Sequence, residues 1–479
     1  MSLLRQGAHA LRWSVFGELG ARVLGPLTFV VLARVLLPAD FGVVAAATVV
    51  VSLAQVLGEL GLAKALVQRR DRVSEAAITA FWMNAVFGLL MTALAWALAP
   101  AVARYFGDPR ISLALRALSP VMLLSALVAV PMGLLQREFR FKTLFWARLA
   151  GAALPAMAGI PLALAGVGYW ALVVGTLAGQ LAQAVVLWQV GGWRPALMFD
   201  RALAAELLRF GRWALLAALL GWGYAWLDAV IVGRYLGAHE MGLYRTGGAL
   251  VTLVFGLLFA PLLPVLYSLF SRAQHDLPLL RNSLLVVVRL STLVVLPTAM
   301  LAYALRDVLA TGLLGDRWRE AGQVIAVLAM AQGISWLVSF NGELYRAVGR
   351  PLAEVIAMGP MLLVYAIVYV LAVRHGLEAF LWWRLALTLL GVAAQVLVAW
   401  RVVQIDPRQW LRPLVTVLGG LAFAVLLPGP WWADLLIALI ASGILCWSEW
   451  PLILQQIHRW QASTKPQGAR QIQSNEGAT

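Results

Sequence analysis

Apolar residues dominate the chain in long blocks, and short polar connections separate them. Fourteen blocks fall at approximately 13–36, 41–63, 77–103, 111–135, 143–165, 169–191, 213–236, 243–268, 283–305, 321–345, 352–373, 378–402, 411–428 and 431–454. Each comes close to the roughly 20 mainly apolar residues a helix needs to cross a bilayer core. Turn signals punctuate the series: Leu37-Pro38, Gly107-Asp108-Pro109, Gly349-Arg350-Pro351 and Pro428-Gly429-Pro430. The pattern predicts an all-α polytopic membrane protein with about 14 spans. Beyond Trp460 the periodicity stops, and residues 461–479 read as a disordered polar tail.

Composition agrees with that pattern. Of 479 residues, 62% are hydrophobic and 12% charged, against roughly 25% charged in soluble domains. The mean hydropathy is +0.84. So much apolar surface must face lipid. The net charge of +15 would point to nucleic acid in a soluble domain. Here the basic residues lie in the connections, so no nucleic-acid partner is expected. Alternate connections hold 23 and 9 Lys and Arg residues. By the positive-inside rule the richer set, which includes both termini, lies in the cytoplasm. Met1 to Arg12 is basic and lacks a small-residue cleavage signal, so it reads as a retained cytoplasmic end. The lone cysteine, Cys446, permits no intrachain disulfide.

An internal repeat appears at a constant offset of 200 residues. Arg12-Trp13 aligns with Arg212-Trp213, and Arg34, Leu36 and Gly42 with Arg234, Leu236 and Gly242. Asp40 aligns with Glu240, and Val51 and Leu53 with Val251 and Leu253. Six expected helices separate the copies. An even number makes the repeat parallel, with a pseudo-twofold axis along the membrane normal. The expected organisation is therefore a six-helix lobe over 1–205, a second over 206–403, and two further helices over 404–460.

The segments that carry the repeat also carry a resemblance. Leu32-Ala33-Arg34-Val35-Leu36-Leu37-Pro38-Ala39-Asp40-Phe41-Gly42 resembles the turn after the first helix of the polysaccharide transporter (Wzx-type flippase) family. Glu59-Leu60-Gly61-Leu62-Ala63-Lys64, Leu135-Gln136-Arg137-Glu138-Phe139-Arg140 and Gly168-Tyr169-Trp170-Ala171 are similar to its later helix ends. So is Asp228-Ala229-Val230-Ile231-Val232-Gly233-Arg234 followed by Gly242-Leu243-Tyr244. The resemblance implies the multidrug/oligosaccharidyl-lipid/polysaccharide exporter fold, with two six-helix lobes plus two extra helices. It also implies export of a polyprenyl-pyrophosphate-linked glycan across a bacterial inner membrane. Lipid-linked oligosaccharide and membrane lipids are then the partners, with glycan polymerase and glycosyltransferases of the same pathway, and there is no cofactor.

Enzyme chemistry finds no foothold. The only Lys-Thr pair, Lys142-Thr143, follows Phe141, so there is no P-loop. His9, His239, His275, His375 and His458 are scattered and suggest no metal site. Charges inside the spans are costly and are functional candidates by default. Arg22 lies near the expected midplane of the first span, with Glu18 one turn earlier on the same face. Arg116, Arg148, Arg289 and Arg384 lie six to eight residues inside others, and Arg289 is preferred among them because it falls in the lobe opposite Arg22, where a shared substrate would need it. Each arginine reads either as a cavity group for the anionic head or as a structural or snorkelling residue. Asp228 reads as an ion-coupling carboxylate or a structural partner. Glu59, Glu343 and Glu449 fall near expected span ends, where pairing or capping is the reading. Asn84, Gln180, Gln183, Gln332, Asn341 and Gln395 suit sugar hydroxyls or helix association. Two rivals stand: a drug or metabolite/cation antiporter of the same fold, and a non-transporting scaffold of a glycan-assembly complex.

Overall fold

The computed structural model describes residues 24–59, 71–259, 276–350, 352–404 and 431–464, with 270, 406–408, 412, 415, 418–419 and 422 besides. Among the described residues there is no strand. The helices in chain order are α1 (Leu24–Val35), α2 (Pro38–Glu59), α3 (Val73–Phe106), α4 (Arg110–Leu118), α5 (Pro120–Arg137), α6 (Phe141–Leu164), α7 (Trp170–Val190) and α8 (Arg201–Leu236). They continue with α9 (Ala238–Phe259), α10 (Leu277–Ala304), α11 (Ala321–Trp336), α12 (Asn341–Ala347), α13 (Leu352–Ala372), α14 (Gly376–Val403) and α15 (Trp431–Thr464). Ten stretches are long and apolar enough to cross a membrane; the one over Leu352–Val403 contains both α13 and α14. The chain is a multi-pass membrane protein. Most of the expected span at 411–428 and the start of the first span lie outside the described residues.

Three boundaries differ from the sequence pattern. Helix α8 begins at Arg201, where a connection was expected, because Asp200 caps it: its Oδ1 accepts from Ala202 N at 2.8 Å and Leu203 N at 3.1 Å. The block expected at 321–345 is two helices. Leu337, Val338 and Ser339 turn through i→i+3 bonds, and the Ser335 and Ser339 hydroxyls bond back to Ala331 O and Ser335 O. Helix α15 runs to Thr464 through Pro451, which places Glu449 well inside a helix rather than near its end.

The chain separates into two compact units. The first comprises residues 1–246, 311–320 and 373–377; the second comprises 247–310, 321–372 and 378–479. In the first, Ala76, Phe81, Val130, Leu134 and Leu207 bury a seam shared by α3, α5 and α8. Helices α6 and α7 approach closely through small residues: a Cβ on Gly179 would stand 2.6 Å from Gly151 O. Outside the spans, Arg72 Nη2 holds Asp200 Oδ2 at 2.7 Å and also pairs with Glu75. The backbone N–H of Leu203 and the Arg72 guanidinium hold the Asp200 carboxyl below the usual carboxylate range.

The two repeat copies meet inside this first unit. A Cβ on Gly42 would overlap the carbonyl oxygen of Ala238, and one on Gly242 would overlap the carbonyl oxygen of Pro38. These positions are related by the offset of 200, so the contact is reciprocal, as a local twofold requires. Nearby, Arg34 donates to the carbonyls of Leu313 and Gly312, and Trp318 Nε1 donates to Ala33 O at 2.6 Å. Arg234, the counterpart of Arg34, lies over the Tyr105 ring at 5.3 Å.

In the second unit, α10 packs against α11 and α15. A Cβ on Gly333 would come 2.7 Å from Ala299 Cβ. Two ion pairs tie α10 and its C-terminal extension to α15: Arg306 Nη1–Asp434 Oδ2 at 2.8 Å and Arg289 Nε–Glu449 Oε2 at 3.5 Å. The residue numbers run in opposite senses between the two pairs, so the helices are antiparallel.

Candidate functional site

Of the charges singled out from the sequence, Arg22 and Glu18 lie outside the described residues. The remaining four arginines have different surroundings. Arg148 is half-buried on α6 and makes no hydrogen bond or ion pair among the described residues. Arg116, near the end of α4, lies 4.6 Å over the Trp96 ring, with Nε 3.4 Å from Trp96 O. Arg384 on α14 donates from Nη1 to Tyr369 Oη at 3.0 Å. Arg289 is buried and faces Glu449.

The Arg289–Glu449 pair has unusual energetics. Arg289 is 6% exposed and Glu449 1% exposed. Their 3.5 Å separation is beyond a good N–H···O bond, and neither Arg289 Nε nor Glu449 Oε2 has a hydrogen-bond partner among the described residues. Charge attraction without a hydrogen bond holds them. Arg412 Nε approaches the other carboxylate oxygen at 3.9 Å. Removing one partner of a buried pair costs about 3–5 kcal/mol, whereas replacing both is often neutral. Asp434, 4% exposed and paired with Arg306, was not singled out from the sequence. Its spacing from Glu449 along α15, set against that of Arg306 from Arg289 along α10, was the available signal.

Asp228 is buried on α8. Its Oδ2 accepts from Tyr244 Oη at 2.6 Å, and its Oδ1 from the Ala229 N–H at 2.7 Å. The hydroxyl of Tyr244, a short-range neighbour on α9, thus supports this carboxylate. Nearly two turns before Asp228, the Trp222 indole donates to Ser52 Oγ at 3.0 Å.

The amides fall into two groups. Asn341 Nδ2 and Tyr345 Oη both point at the Gln395 carbonyl oxygen at 3.4 Å, linking α12 to α14. Gln55, Asn84, Gln180 and Gln183 instead converge with Ser125 on a cavity of about 300 Å³ among α2, α3, α5 and α7. Gln55 Nε2 and Gln180 Nε2 donate to the same Ser125 Oγ, at 2.9 and 3.0 Å. Gln55 and Ser125 were not singled out from the sequence; short polar residues in an apolar block were the only signal. Among the described residues, no charged side chain lines this cavity.

Similarities to known proteins are broad and consistent. A family model described as "Polysaccharide biosynthesis protein" matches residues 31–323. The succinoglycan biosynthesis transport protein ExoT of Rhizobium meliloti is 26% identical over 413 residues, covering 84% of this chain and 81% of the relative. The teichuronic acid biosynthesis protein TuaB of Bacillus subtilis is 22% identical over 378 residues, 78% of each chain. The lipopolysaccharide biosynthesis protein WzxC of Escherichia coli is 23% identical over 368 residues, covering 74% of this chain and 70% of the relative. Among solved structures, the lipid II flippase MurJ in an inward closed conformation aligns with a TM-score of 0.69 at 13% identity, covering 92% of this chain and 99% of that one. An inward-facing multidrug resistance transporter of the MATE family, within the MOP superfamily, aligns at 0.66 and 14% identity, covering 79% and 94%. These last two likenesses establish the fold, the multidrug/oligosaccharidyl-lipid/polysaccharide exporter architecture.

Proposed function

Because this chain belongs to the polysaccharide biosynthesis protein family, we propose that it is a flippase for lipid-linked oligosaccharide. Its substrate is a polyprenyl-pyrophosphate-linked repeat unit of an O-antigen, capsule or exopolysaccharide. It moves the head across the bacterial inner membrane by alternating access through an arginine-lined central cavity, with both termini cytoplasmic. The observation that carries this reading is the family match together with three relatives named for three different surface glycans. Glycan assembly is what those relatives have in common.

The chemistry of the chain supports it. A pyrophosphate and several sugars cannot enter hydrocarbon unaided. Arginine offers a planar fork that matches phosphate oxygens two at a time. Arg22, with Glu18 to orient it, and Arg148 are the favoured phosphate groups. Arg148 is favoured because it is half-buried and has no partner among the described residues. Arg289 serves only if the Glu449 pair opens. Arg116 and Arg384 complete the basic set, and Asp228 with Tyr244 is the candidate ion-coupling site. The lobes at 1–205 and 206–403 are the moving parts, and the glycan polymerase and glycosyltransferases of the same pathway are the partners.

Expression in a strain that lacks its own repeat-unit exporter tests this reading. Restored surface glycan, lost on Arg22→Ala or Arg148→Ala with the protein inserted at its normal level, is the expected outcome. Efflux of cationic dyes without restored glycan would instead select the antiporter reading.

A further inference from the structure

The amide-lined cavity among α2, α3, α5 and α7 has features that helix association does not explain. Polar side chains inside a membrane bundle usually hydrogen-bond across helices. Gln55, Ser125 and Gln180 do so here. Asn84 makes none among the described residues: it is 3% exposed, lines the cavity, and its Oδ1 has no partner there. Gln183, half-buried on the same wall, makes no hydrogen bond among the described residues. A buried amide without a partner is a cost that a ligand could offset.

The shared hydrogen bonds add direction. Gln55 and Gln180 both spend an N–H on Ser125 Oγ. Their carbonyl oxygens remain as acceptors, and the Ser125 hydroxyl proton remains as a donor. With Asn84 and Gln183 the cavity offers several neutral acceptors and a few donors. Phe87, Met91, Met122 and Met132 supply the apolar remainder of the wall. The volume, about 300 Å³, is at the small end of ligand sites.

From this geometry we infer that the Asn84–Gln183 cavity binds one uncharged sugar residue. The inference rests on the proposed function and assigns a place to the sugar part of the head. A hexopyranose has hydroxyls that both donate and accept around its rim, and C–H faces that pack on Phe87 and the thioethers. Among the described residues of the wall, a phosphate or uronate would find no counter-charge and would be desolvated without compensation.

Saturation-transfer difference NMR on the purified full chain in lipid nanodiscs tests the assignment without requiring transport. The probes are methyl glucoside, methyl galactoside and N-acetylglucosamine, with glucuronate and inorganic phosphate for comparison. At least one neutral sugar should receive saturation at its ring protons, and the anions should not. Asn84→Leu and Gln183→Leu should each weaken that signal's affinity by about tenfold or more. Neither should lower the melting temperature, because Asn84 and Gln183 make no hydrogen bonds among the described residues. Three results would overturn the inference. One is the absence of a neutral-sugar signal, or an equal one in both variants. Another is a drop in melting temperature for Asn84→Leu together with an intact Gln183→Leu signal, which marks helix glue. The third is stabilisation by sodium over choline that Asn84→Leu removes, with no sugar signal, which marks a cation site. If the wild type binds sugar here yet restores no export, the flippase reading fails and the cavity stands. If it restores export and binds none, the cavity alone fails.

Discussion

Gly42 and Gly242 lie back to back: each faces a backbone carbonyl of the other's turn, Gly42 at Ala238 and Gly242 at Pro38. The two residues are 200 positions apart and hold equivalent places in the repeat. A hydrogen atom is the largest side chain either site admits, since a Cβ would overlap a carbonyl oxygen. Gly42→Ala and Gly242→Ala should each destabilise by about 1–3 kcal/mol or more, as overpacking does. Fluorescence-detected size exclusion with a thermal ramp measures it. Unchanged melting in both variants would show that the helix pairs separate easily.

The Arg289–Glu449 pair separates a structural role from a substrate role. Glu449→Ala should lower stability by about 3–5 kcal/mol, because Arg289 is left charged and buried. Arg289→Met/Glu449→Met should regain most of that loss. If the double variant is stable and still exports, the pair only ties α10 to α15. Arg289 acts on the substrate if the double variant is stable and does not export.

Asp200 gives a pH signature outside the membrane. Its carboxyl is held below the usual range by the Leu203 N–H, the Arg72 guanidinium and the Ala202 N–H. A depressed folded-state pKa stabilises the fold above the unfolded pKa, and that stabilisation is lost as pH falls through the folded value. Wild-type melting temperature should therefore fall as the pH drops below the normal Asp range. Asp200→Asn should melt lower at neutral pH and show a shallower acid decline, read by a thermal ramp across pH. Parallel pH curves for the two proteins would contradict the capping account.

Orientation follows from the basic connections. Reporter fusions within 64–75, 194–212 and 401–412 should all report cytoplasm. A periplasmic report at residue 200 would invert the orientation assigned to the Arg72–Asp200 tie.

The apolar blocks of this chain are legible because each spanning helix must satisfy its backbone internally and face lipid. The repeat is legible through Arg34, Gly42 and Asp40, which are not interchangeable with other apolar residues. The break at 337–340 is not, because serines within an apolar block make it and hydropathy hardly changes across it. The expected span stops at 454, yet α15 runs on to Thr464, and this hides the depth of Glu449. The partners of Arg289 and Asp228 are tertiary facts: Glu449 is 160 positions away, and Tyr244 reaches across from the next helix. Asn84, Gln180 and Gln183 are visible one by one, but Gln55 and the convergence around Ser125 depend on how four helices pack.

The central claim is translocation of a glycan head on a lipid carrier. Its most direct test is reconstitution of the purified chain in proteoliposomes that carry a polyprenyl-pyrophosphate oligosaccharide, with glycan accessible to an external lectin as the readout. The account predicts that lipid-linked glycan shut in the inner leaflet becomes accessible at a rate set by the amount of protein. Arg22→Ala and Arg148→Ala should slow that rate while the vesicles stay sealed. A rate equal to that of protein-free vesicles, with the chain folded and correctly inserted, would contradict it.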